Sequence, residues 1–255
     1  MSKEPLRTYL SKRHFDRTSE PRGGDSEDSR DSPDSSDSSD SSGNPRFVVQ
    51  IHDASTMHFD FRLEVDGVLK SWSVPKGPST DPKDKRLAMP TEDHPLDYRD
   101  FEGVIPAGEY GGGTVIVWDQ GRYRPMSHDK KGHPVPFAES LEKGHATFRL
   151  EGKKLRGGYA LTRFRGGPDS DERESWLLVK ADDEQAGDQG TPDPKRARSA
   201  LSGHTLKQVA AEVAEESGVA EESGGSSTGQ GRSKGGTGGK SGTGGKSGSG
   251  GKGRA

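Results

Sequence analysis

The stretch from Arg46 to Lys76 constrains the fold most, because its apolar and polar residues alternate with the period of a β-strand. One set of positions is apolar: Phe47, Val49, Ile51, Phe59, Phe61 and Leu63. The other set carries ionisable or amide groups: Gln50, His52, His58, Asp60, Arg62 and Glu64. This pattern predicts two strands that share one apolar face and one ionisable face.

The dipeptide Asp66-Gly67 predicts how the second of these strands pairs with the next, because a type I′ hairpin turn needs positive φ at both positions. The turn sets the predicted register at Val65 with Val68, Leu63 with Lys70, Phe61 with Trp72 and Phe59 with Val74. Ser71 and Ser73 then face Arg62 and Asp60 on the polar side. Small hydroxyl residues leave room there, so we expect this face to bind a metal and an anion.

Further strands separated by glycine-containing turns indicate an antiparallel β-barrel or sandwich, and not βαβ units. They are predicted at 114–118, 145–150, 159–164 and 176–179. Asp119-Gln120-Gly121 is interpreted as a turn, and 134–144 contains one helix that ends at Lys143-Gly144. The glycines of 108–113 are typical of tight turns, because neither Lys-Ser/Thr nor a helix pattern follows them.

Only 25% of the residues are hydrophobic and 37 are glycine, so much of the chain cannot form a core. We predict four parts: an N-terminal segment of the domain at 1–24, a disordered Asp/Ser-rich insert at 25–43, a barrel core at 44–183, and a disordered tail at 184–255 with one short helix at 206–216. A helix is expected at Leu6–Phe15, with Leu6 and Leu10 facing inward and Arg13 facing outward.

The charged segments outside the core allow more than one interpretation. The insert is predicted to be an acidic linker, and the alternatives are a phosphorylation site or a mimic of DNA that competes for the basic site. The Gly-rich tail after Gly224 carries lysines and arginines without an acid. It either adds sequence-independent affinity for phosphates or is a passive solubilising extension.

Composition also excludes several classes of protein. The chain has no cysteine, which excludes disulfides, thiolate catalysis and cysteine-ligated zinc. No apolar run has membrane-spanning length, and the N-terminus lacks the apolar region of a signal peptide. We therefore expect a cytoplasmic monomer that does not act at a membrane.

The polar face of the first two strands predicts phosphate chemistry. His52, His58 and Asp60 are a common donor set for manganese or zinc. Arg62 lies on the same face, where a guanidinium binds a phosphate oxygen bidentately. Each of these residues alone is more often a solvated surface group, and only their shared parity favours a site. His94 is a candidate acid–base histidine; His128, His133, His145 and His204 are interpreted as surface residues.

Four stretches of the sequence resemble those of a known protein family. They read FVVQIHDASTMHFDFRLEVDGVLKSWSVPKGPS, KRLAMPTEDHPLDYRDFEGVIPAGEYGGGTVIVWDQG, and LEGKKLRGGYALTRF with SWLLVK. The sequence closely resembles the 3′-phosphoesterase domain of bacterial DNA ligase D and its stand-alone relatives over most of 6–183. The resemblance implies a mainly β protein: a compact antiparallel barrel flanked by short helices. It also implies a manganese enzyme that removes a 3′-terminal ribonucleoside and then the 3′-phosphate to leave a 3′-hydroxyl.

The resemblance also implies roles for single residues. The metal ligands fall on His52, His58 and Asp60. The implied catalytic residues are His94, Arg62, Tyr98 and Glu92, and the implied phosphate-binding residues are Arg62, Arg86, Lys76, Arg13, Gln50 and Glu20. The family's Lys-Arg-Asp-Phe reads Lys12-Arg13-His14-Phe15 here. His14 therefore replaces the acidic residue of the family motif. Loss of a carboxylate at this position bears on how the enzyme handles a 2′-hydroxyl.

The same resemblance implies partners. The substrates are DNA or DNA/RNA 3′ ends, and the cofactor is Mn²⁺ or another divalent transition metal. The 255 residues contain no ligase or polymerase motif, so we expect a DNA ligase and other end-joining proteins to act in trans. The competing interpretation is a catalytically weak nucleic-acid-binding module of the same fold, acting as a repair accessory protein.

Overall fold

The computed structural model describes residues 5–23, 43–166, 172–188, 190–216 and 218. The strands in this part of the chain are β1 Arg46–Asp53, β2 Met57–Val65, β3 Val68–Val74, β4 Lys85–Pro90, β5 Gly103–Ile105, β6 Gly113–Pro125, β7 His145–Gly152, β8 Arg156–Arg165 and β9 Ser175–Lys180. The helices are α1 Arg7–Ser11, α2 Phe137–Glu142 and α3 Leu206–Glu216, with a 3₁₀ helix at Leu96–Asp100.

The strands close into an eight-stranded antiparallel barrel. The strand order is β1-β2-β3-β4-β9-β8-β7-β6, and β6 pairs back with β1. The short strand β5 pairs with the first residues of β6 beside β7 and is not a barrel member. Closure pairs every barrel strand on both sides, and it decides between the two predicted architectures in favour of the barrel.

The β2–β3 hairpin has the predicted turn and register. Asp66 has φ 49° and Gly67 has φ 80°, the left-handed values that a type I′ turn requires. The four predicted cross-strand pairs are present, and Ser71 and Ser73 lie opposite Arg62 and Asp60. The dipeptide signal therefore fixed which side chains share a face.

The barrel interior is apolar. Phe47, Val49, Phe61 and Leu63 from β1 and β2 have no exposed surface. They join one large buried cluster that draws on all the barrel strands and on α2. Burial of this continuous apolar surface is the main stabilising term for a barrel of this size.

A smaller apolar cluster lies on the outer face of β1–β3. Its buried members include Tyr9 from α1, Tyr98 from the 3₁₀ helix, Phe101, and Leu69 from β3. The Tyr9 hydroxyl donates a hydrogen bond to Pro21 O at 2.5 Å, which closes the N-terminal segment over this face. The ionisable face of β1 and β2 is therefore largely covered by a second layer.

The predicted N-terminal helix is wrong in its length and its face. Only α1 is helical, and Leu10, which we placed inward, is 41% exposed. Tyr9 is buried instead, because its ring packs edge-on against His94 and Tyr98. Arg13, predicted to face outward, has a side chain only 4% exposed.

The predicted turn at Asp119-Gln120-Gly121 is also wrong, because β6 continues through it. The β1–β6 register shifts between Val49 and Gln50, so a bulge and not a turn accommodates these residues. Asp119 is buried, and its carboxylate accepts the backbone N–H groups of Lys154 and Leu155 at 3.0 and 2.7 Å. No strand was predicted at the positions of β4 and β5.

The folded region extends past Asp183, where we predicted its end. Ala197, Leu206 and Val209 belong to the large buried cluster. Ala200 N–H donates to Val117 O at 2.7 Å. The helix α3 therefore packs against the barrel and is not isolated. The disordered insert predicted at 25–43 lies outside the described residues except for Gly43, and of the disordered tail predicted at 184–255 only residues 189, 217 and 219–255 lie outside them. Among the described helices, none is long and apolar enough to span a membrane.

Candidate metal centre and phosphate site

His52, His58 and Asp60 meet on the outer face of β1 and β2. His52 is the cross-strand partner of His58, and Asp60 lies two residues further along β2. His52 Nδ1 is 3.6 Å from Asp60 Oδ2, and His58 Nε2 is 3.6 Å from Asp60 Oδ1. One ligand atom from each residue lies within 4.8 Å of the others, so the group has the spacing of a metal centre.

Backbone carbonyls orient both imidazoles for a metal. His52 Nε2 lies 2.7 Å from Gly111 O, and His58 Nδ1 lies 2.8 Å from Thr56 O. A carbonyl only accepts, so these nitrogens carry the ring protons. The lone pairs of His52 Nδ1 and His58 Nε2 then face Asp60. Such carbonyl partners are typical of histidines that bind metals, and the donor set fits a divalent transition metal.

The charge of Asp60 is held by its neighbours. Burial alone favours its neutral form, but the Arg62 guanidinium and the two histidines outweigh burial and hold the pKa of Asp60 well below its usual range. Burial also opposes protonation of His58, yet the neighbouring Asp60 carboxylate favours the protonated ring and raises the pKa of this imidazole. A carboxylate that stays ionised is ready to bind a cation.

Arg62 is buried and almost fully engaged. Its Nε donates to Gln50 Oε1 at 2.8 Å, and its Nη2 donates to Asp60 Oδ2 at 3.1 Å. Nη1 lies 2.9 Å from both Ser71 Oγ and His94 Nδ1. At least one of the five guanidinium N–H groups, on Nη2, is left without a partner among the described residues and is available to a phosphate oxygen.

Arg13 is a second buried guanidinium at the same place. Its Nε donates to Glu20 at 2.8 Å, and Nη1 donates to Glu92 at 3.1 Å. Its Nη2 lies 3.3 Å from His94 Nε2. Like Arg62, it retains one Nη2 N–H that no described residue accepts. Two arginines thus converge on His94 from different elements.

His94 is the neutral centre of this cationic pair. Burial is the first cause, and the charges of Arg62 and Arg13 add to it, so the pKa of His94 lies well below its usual value. The ring stacks edge-on against Tyr98 at 4.7 Å. His94 Nδ1 lies 2.8 Å from Glu92 O, and a carbonyl only accepts, so this nitrogen carries the ring proton. Nε2, which faces Arg13, is then the nitrogen that can accept a proton when an anion binds.

Three residues hold the two arginines and His94 in place: Gln50, Glu20 and Tyr98. Gln50 donates to Tyr98 O and Phe101 O, and accepts from Arg62. Glu20 accepts from Arg13 and from the Tyr98 hydroxyl, the latter at 3.0 Å. A carboxylate repels phosphate, and the amide of Gln50 is fully engaged, so in this arrangement both residues position arginines.

The site encloses a cavity of about 160 Å³. Its lining includes the three candidate ligands, Arg13, Arg62 and His94. This volume is below the ~300 Å³ of a typical small-molecule pocket, so the cavity suits a phosphate group and not a whole nucleotide.

Lys76 and Arg86 were predicted to join the site, and the structure does not bring them there. Lys76 is exposed beyond the end of β3. Arg86 shares the strand parity of Ala88, which belongs to the barrel interior, and its Nη2 contacts Asp84 at 2.6 Å. Neither residue lines the cavity. The resemblance to the family pointed to both residues. Strand parity, however, places Arg86 on the face opposite to the candidate site.

The sequence analysis missed Lys12 and Tyr110 at the mouth of the site. Lys12 Nζ lies 3.2 Å from Glu92 Oε2 and 3.0 Å from the Tyr110 hydroxyl. Tyr110 is 47% exposed and lies in the Gly-rich loop, which we interpreted only as a turn. An aromatic residue among turn-forming glycines was the available signal.

The remaining histidines lie apart from the centre. His14 is exposed and contacts Glu109 Oε2 at 2.9 Å. His128, His133 and His145 are exposed as predicted, and His204 is half-buried beside Glu212. None of these five belongs to a possible metal-binding group among the described residues.

The fold and the site define a small antiparallel β-barrel with a candidate His-His-Asp metal centre beside two buried arginines. Residues 50–163 match the family described as the DNA Ligase D 3′-phosphoesterase domain. This part of the chain belongs to that family, which confirms the resemblance found in its motifs.

Three curated relatives agree with this assignment. The Pseudomonas aeruginosa "Multifunctional non-homologous end joining protein LigD" is 45% identical over 217 residues, covering 84% of this chain and 23% of the relative. A protein of the same description from Mycolicibacterium smegmatis is 34% identical over 218 residues, 84% of this chain and 25% of the relative. The Mycobacterium tuberculosis "Multifunctional non-homologous end joining DNA repair protein LigD" is 48% identical over 120 residues, 47% of this chain and 15% of the relative. The chain thus spans about a quarter or less of these relatives.

Proposed function

We propose that this protein is a divalent-metal phosphoesterase that heals DNA 3′ ends. It removes a 3′-terminal ribonucleoside and then the 3′-phosphate, and leaves a 3′-hydroxyl for repair by end joining. One observation carries the proposal: a His-His-Asp group with preset imidazole tautomers lies beside two buried arginines that each retain one N–H. The relatives named for non-homologous end joining support the same context.

His52, His58 and Asp60 would hold the metal, and we propose Mn²⁺ or another divalent transition metal. The bound ion would polarise the phosphorus centre and lower the pKa of a water molecule. The protein keeps the ligands ready for it: Gly111 O and Thr56 O fix the two rings, and Arg62 keeps Asp60 ionised.

The phosphate would bind in the 160 Å³ cavity between Arg13 and Arg62. Both guanidinium groups are buried, so water does not screen their attraction for an anion as it does at a surface. Gln50 and Glu20 hold these groups in place through their Nε atoms. The preset cations would stabilise the negative charge that builds up in the transition state.

His94 would supply or accept the proton. In the structure it is neutral because it is buried and because two cations face it. A phosphate bound between Arg13 and Arg62 offsets part of their charge, which raises the pKa of His94. The imidazole would then carry a proton to the leaving oxygen. Tyr98 and Glu92 support this step by fixing the His94 ring and Arg13.

Glu109 is our candidate for the carboxylate that the family has at the position of His14. Its Oε2 lies 2.9 Å from His14 Nδ1, and its side chain is only 10% exposed. We propose that both steps survive, with Glu109 near the 2′-hydroxyl of a terminal ribonucleotide. Glu109→Gln is then expected to slow ribonucleoside removal and to leave phosphate removal unchanged.

The test uses the full chain and labelled primer-templates that end in a 3′-phosphate or in one ribonucleotide. Manganese should convert both ends to a 3′-hydroxyl, and EDTA should prevent the conversion. Asp60→Asn should be inactive with manganese. Ends that stay unchanged under several divalent metals would instead support a catalytically weak DNA-binding module. Adding a DNA ligase in trans then shows whether the healed end is joined.

A further inference from the structure

Tyr110 presents an aromatic ring to solvent at the mouth of the candidate site. Among the Phe, Tyr and Trp side chains of the described residues, the exposed ones are Tyr110 at 47% and Phe164 at 54%. A single exposed ring is ordinary on a protein surface, so its position decides whether it has a role. Phe164 lies on β8 and does not line the cavity, whereas Tyr110 does.

A tight turn fixes Tyr110 relative to the candidate metal centre. Gly112 N–H donates to Glu109 O at 3.0 Å, which closes the turn around Tyr110. Gly111 has φ 80°, and its carbonyl oxygen lies 2.7 Å from His52 Nε2. The residue that presents the ring is therefore bonded directly to the residue that orients a candidate metal ligand.

The hydroxyl end of the ring is held by a residue that also holds Arg13. The Tyr110 hydroxyl donates to Glu92 Oε2 at 3.4 Å and accepts from Lys12 Nζ at 3.0 Å. Glu92 also accepts from Arg13 Nη1 at 3.1 Å. The ring centroid is 5.7 Å from the guanidinium carbon of Arg13. The ring therefore stands next to a cation that we propose binds the phosphate, and its hydroxyl edge is fixed there.

A nucleotide held by its 3′-phosphate in the cavity would bring its base close to this ring. The base and the 3′-phosphate of one nucleotide are separated by a single sugar. The base at the 3′ end of a strand also has one face without a neighbouring base of its own strand, so an aromatic side chain can cover that face without opening a base pair. Stacking of this kind tolerates every base, because each has a π-face.

We propose that the Tyr110 ring stacks on the outer face of the 3′-terminal base and so recognises the end of a DNA strand. The inference rests on the proposed function, because it takes the phosphate between Arg13 and Arg62 to be the one at the strand end. Neighbouring bases cover an internal base on both faces, so the ring contacts terminal and not internal nucleotides. Tyr110 is thus a positioning residue that favours terminal phosphates over internal ones.

The first test measures binding without turnover, in EDTA, with hairpins that end in a 3′-phosphate. One hairpin carries a terminal adenine, and the other has the sugar without a base at that position. Wild type should bind the hairpin with the base about 10-fold more tightly. Tyr110→Leu should bind both hairpins equally, whereas Tyr110→Phe should keep the preference, because the ring and not the hydroxyl makes the contact. The matched control Phe164→Leu also removes an exposed ring and should keep the preference.

The second test reports the stacking contact in the wild-type protein and needs no variant. Binding should change the fluorescence of 2-aminopurine at the 3′-terminal position and leave that of an internal 2-aminopurine unchanged.

Equal affinity of wild type for the two hairpins would overturn the proposal, as would loss of the preference in Tyr110→Phe or in Phe164→Leu. Unchanged fluorescence of the terminal 2-aminopurine would overturn it too. If no DNA end is hydrolysed with manganese but the preference for the base persists, the proposed chemistry fails and the stacking contact stands. Hydrolysis without any preference for the base would leave the chemistry intact and remove the stacking contact.

Discussion

The two faces of β1 and β2 are both largely buried and chemically opposite. On the inner face, Phe47 and Phe61 pack in an apolar cluster and have no exposed surface. On the outer face, Gln50 has no exposed surface and Arg62 is only 3% exposed, yet both are polar and hydrogen-bonded. One strand pair therefore separates a core from a reaction site by the thickness of a single sheet.

Burial has a different consequence on each of the two faces. Inner residues stabilise the barrel by removing apolar surface from water. Most donors and acceptors of the outer residues are hydrogen-bonded, because an unpaired buried polar group costs about 1–3 kcal/mol. The N–H groups that Arg13 and Arg62 retain are the exception among the described residues. Substitutions on the inner face should change stability with little change in chemistry, and those on the outer face should affect chemistry first. Four measurements test this division.

His58→Ala should have the largest effect on activity. His58 is a candidate metal ligand at the edge of the site, with a side chain 19% exposed. Loss of a ligand should lower turnover at least about 100-fold, more than the loss of a partner that only orients one. The free energy of unfolding in EDTA should change by less than about 1 kcal/mol. Phosphate release and urea unfolding check both values.

The matched control is His128→Ala. His128 Nδ1 lies 2.8 Å from Met126 O, the same contact two residues back that His58 makes with Thr56. It is exposed and distant from the other candidate ligands. Its substitution should leave both turnover and stability unchanged. Wild-type turnover in His58→Ala would show that the metal binds elsewhere.

Phe61→Ala should have the largest effect on stability. The side chain is fully buried and packs 5.9 Å from the Phe148 ring across the barrel. Truncation should lower the free energy of unfolding by about 3–5 kcal/mol. Turnover per folded molecule should stay at the wild-type level, because the ring faces away from the metal centre. A large loss of turnover in the folded fraction would break the separation of the two faces.

Gln50→Met should moderately lower both the free energy of unfolding and kcat. It removes the acceptor for Arg62 Nε and the donors to Tyr98 O and Phe101 O. We expect a loss of about 2 kcal/mol in stability. Misplacement of Arg62 should lower kcat about 10- to 100-fold. Full turnover with reduced stability would show that Gln50 supports the fold and not the arginine.

The smallest of the four effects should come from His94, and it should appear in how the free energy of unfolding depends on pH. Burial and two arginines lower its pKa in the folded state, so below about pH 6.5 the unfolded chain binds a proton that the folded protein does not. Its contribution to stability therefore falls as the pH drops below that value. His58 has the opposite sign, because its folded pKa is raised.

The variant His94→Asn isolates this contribution. Urea unfolding in EDTA between pH 5 and pH 7.5 should show a smaller loss of stability at acidic pH than in wild type. The His58 contribution is common to both proteins and cancels in the difference. An unchanged slope would mean that His94 is protonated in the folded protein and that the two arginines do not control it.

Much of the barrel was predictable because local rules governed it. The Asp66-Gly67 turn fixed the β2–β3 register, and period-two alternation fixed the faces of β1 and β2. The rules failed where tertiary partners override them. Asp119 reads as a turn residue, but its carboxylate serves two distant backbone N–H groups in a continuous strand.

The site was predictable in its ligands but less so in its supporting residues. Parity brought His52, His58 and Asp60 together without reference to other parts of the chain. Arg13 was predicted to face outward on a helix, because no local sequence pattern indicates its ion pairs with Glu20 and Glu92. Contacts between residues about 80 positions apart have no local sequence signal, and the resemblance alone pointed to Arg13.

The position of Arg13 also has a consequence for the order of folding. Arg13 is synthesised early, but its partner Glu92 lies 79 residues later in the chain. Contacts of such long range form late, because the entropy of closing the loop must be overcome first. A nascent chain released before Glu92 would leave this guanidinium without its partner. The barrel pairing of Ala88 with Trp176 spans a similar length of chain. On refolding, activity and the tryptophan fluorescence of the barrel interior should therefore recover together.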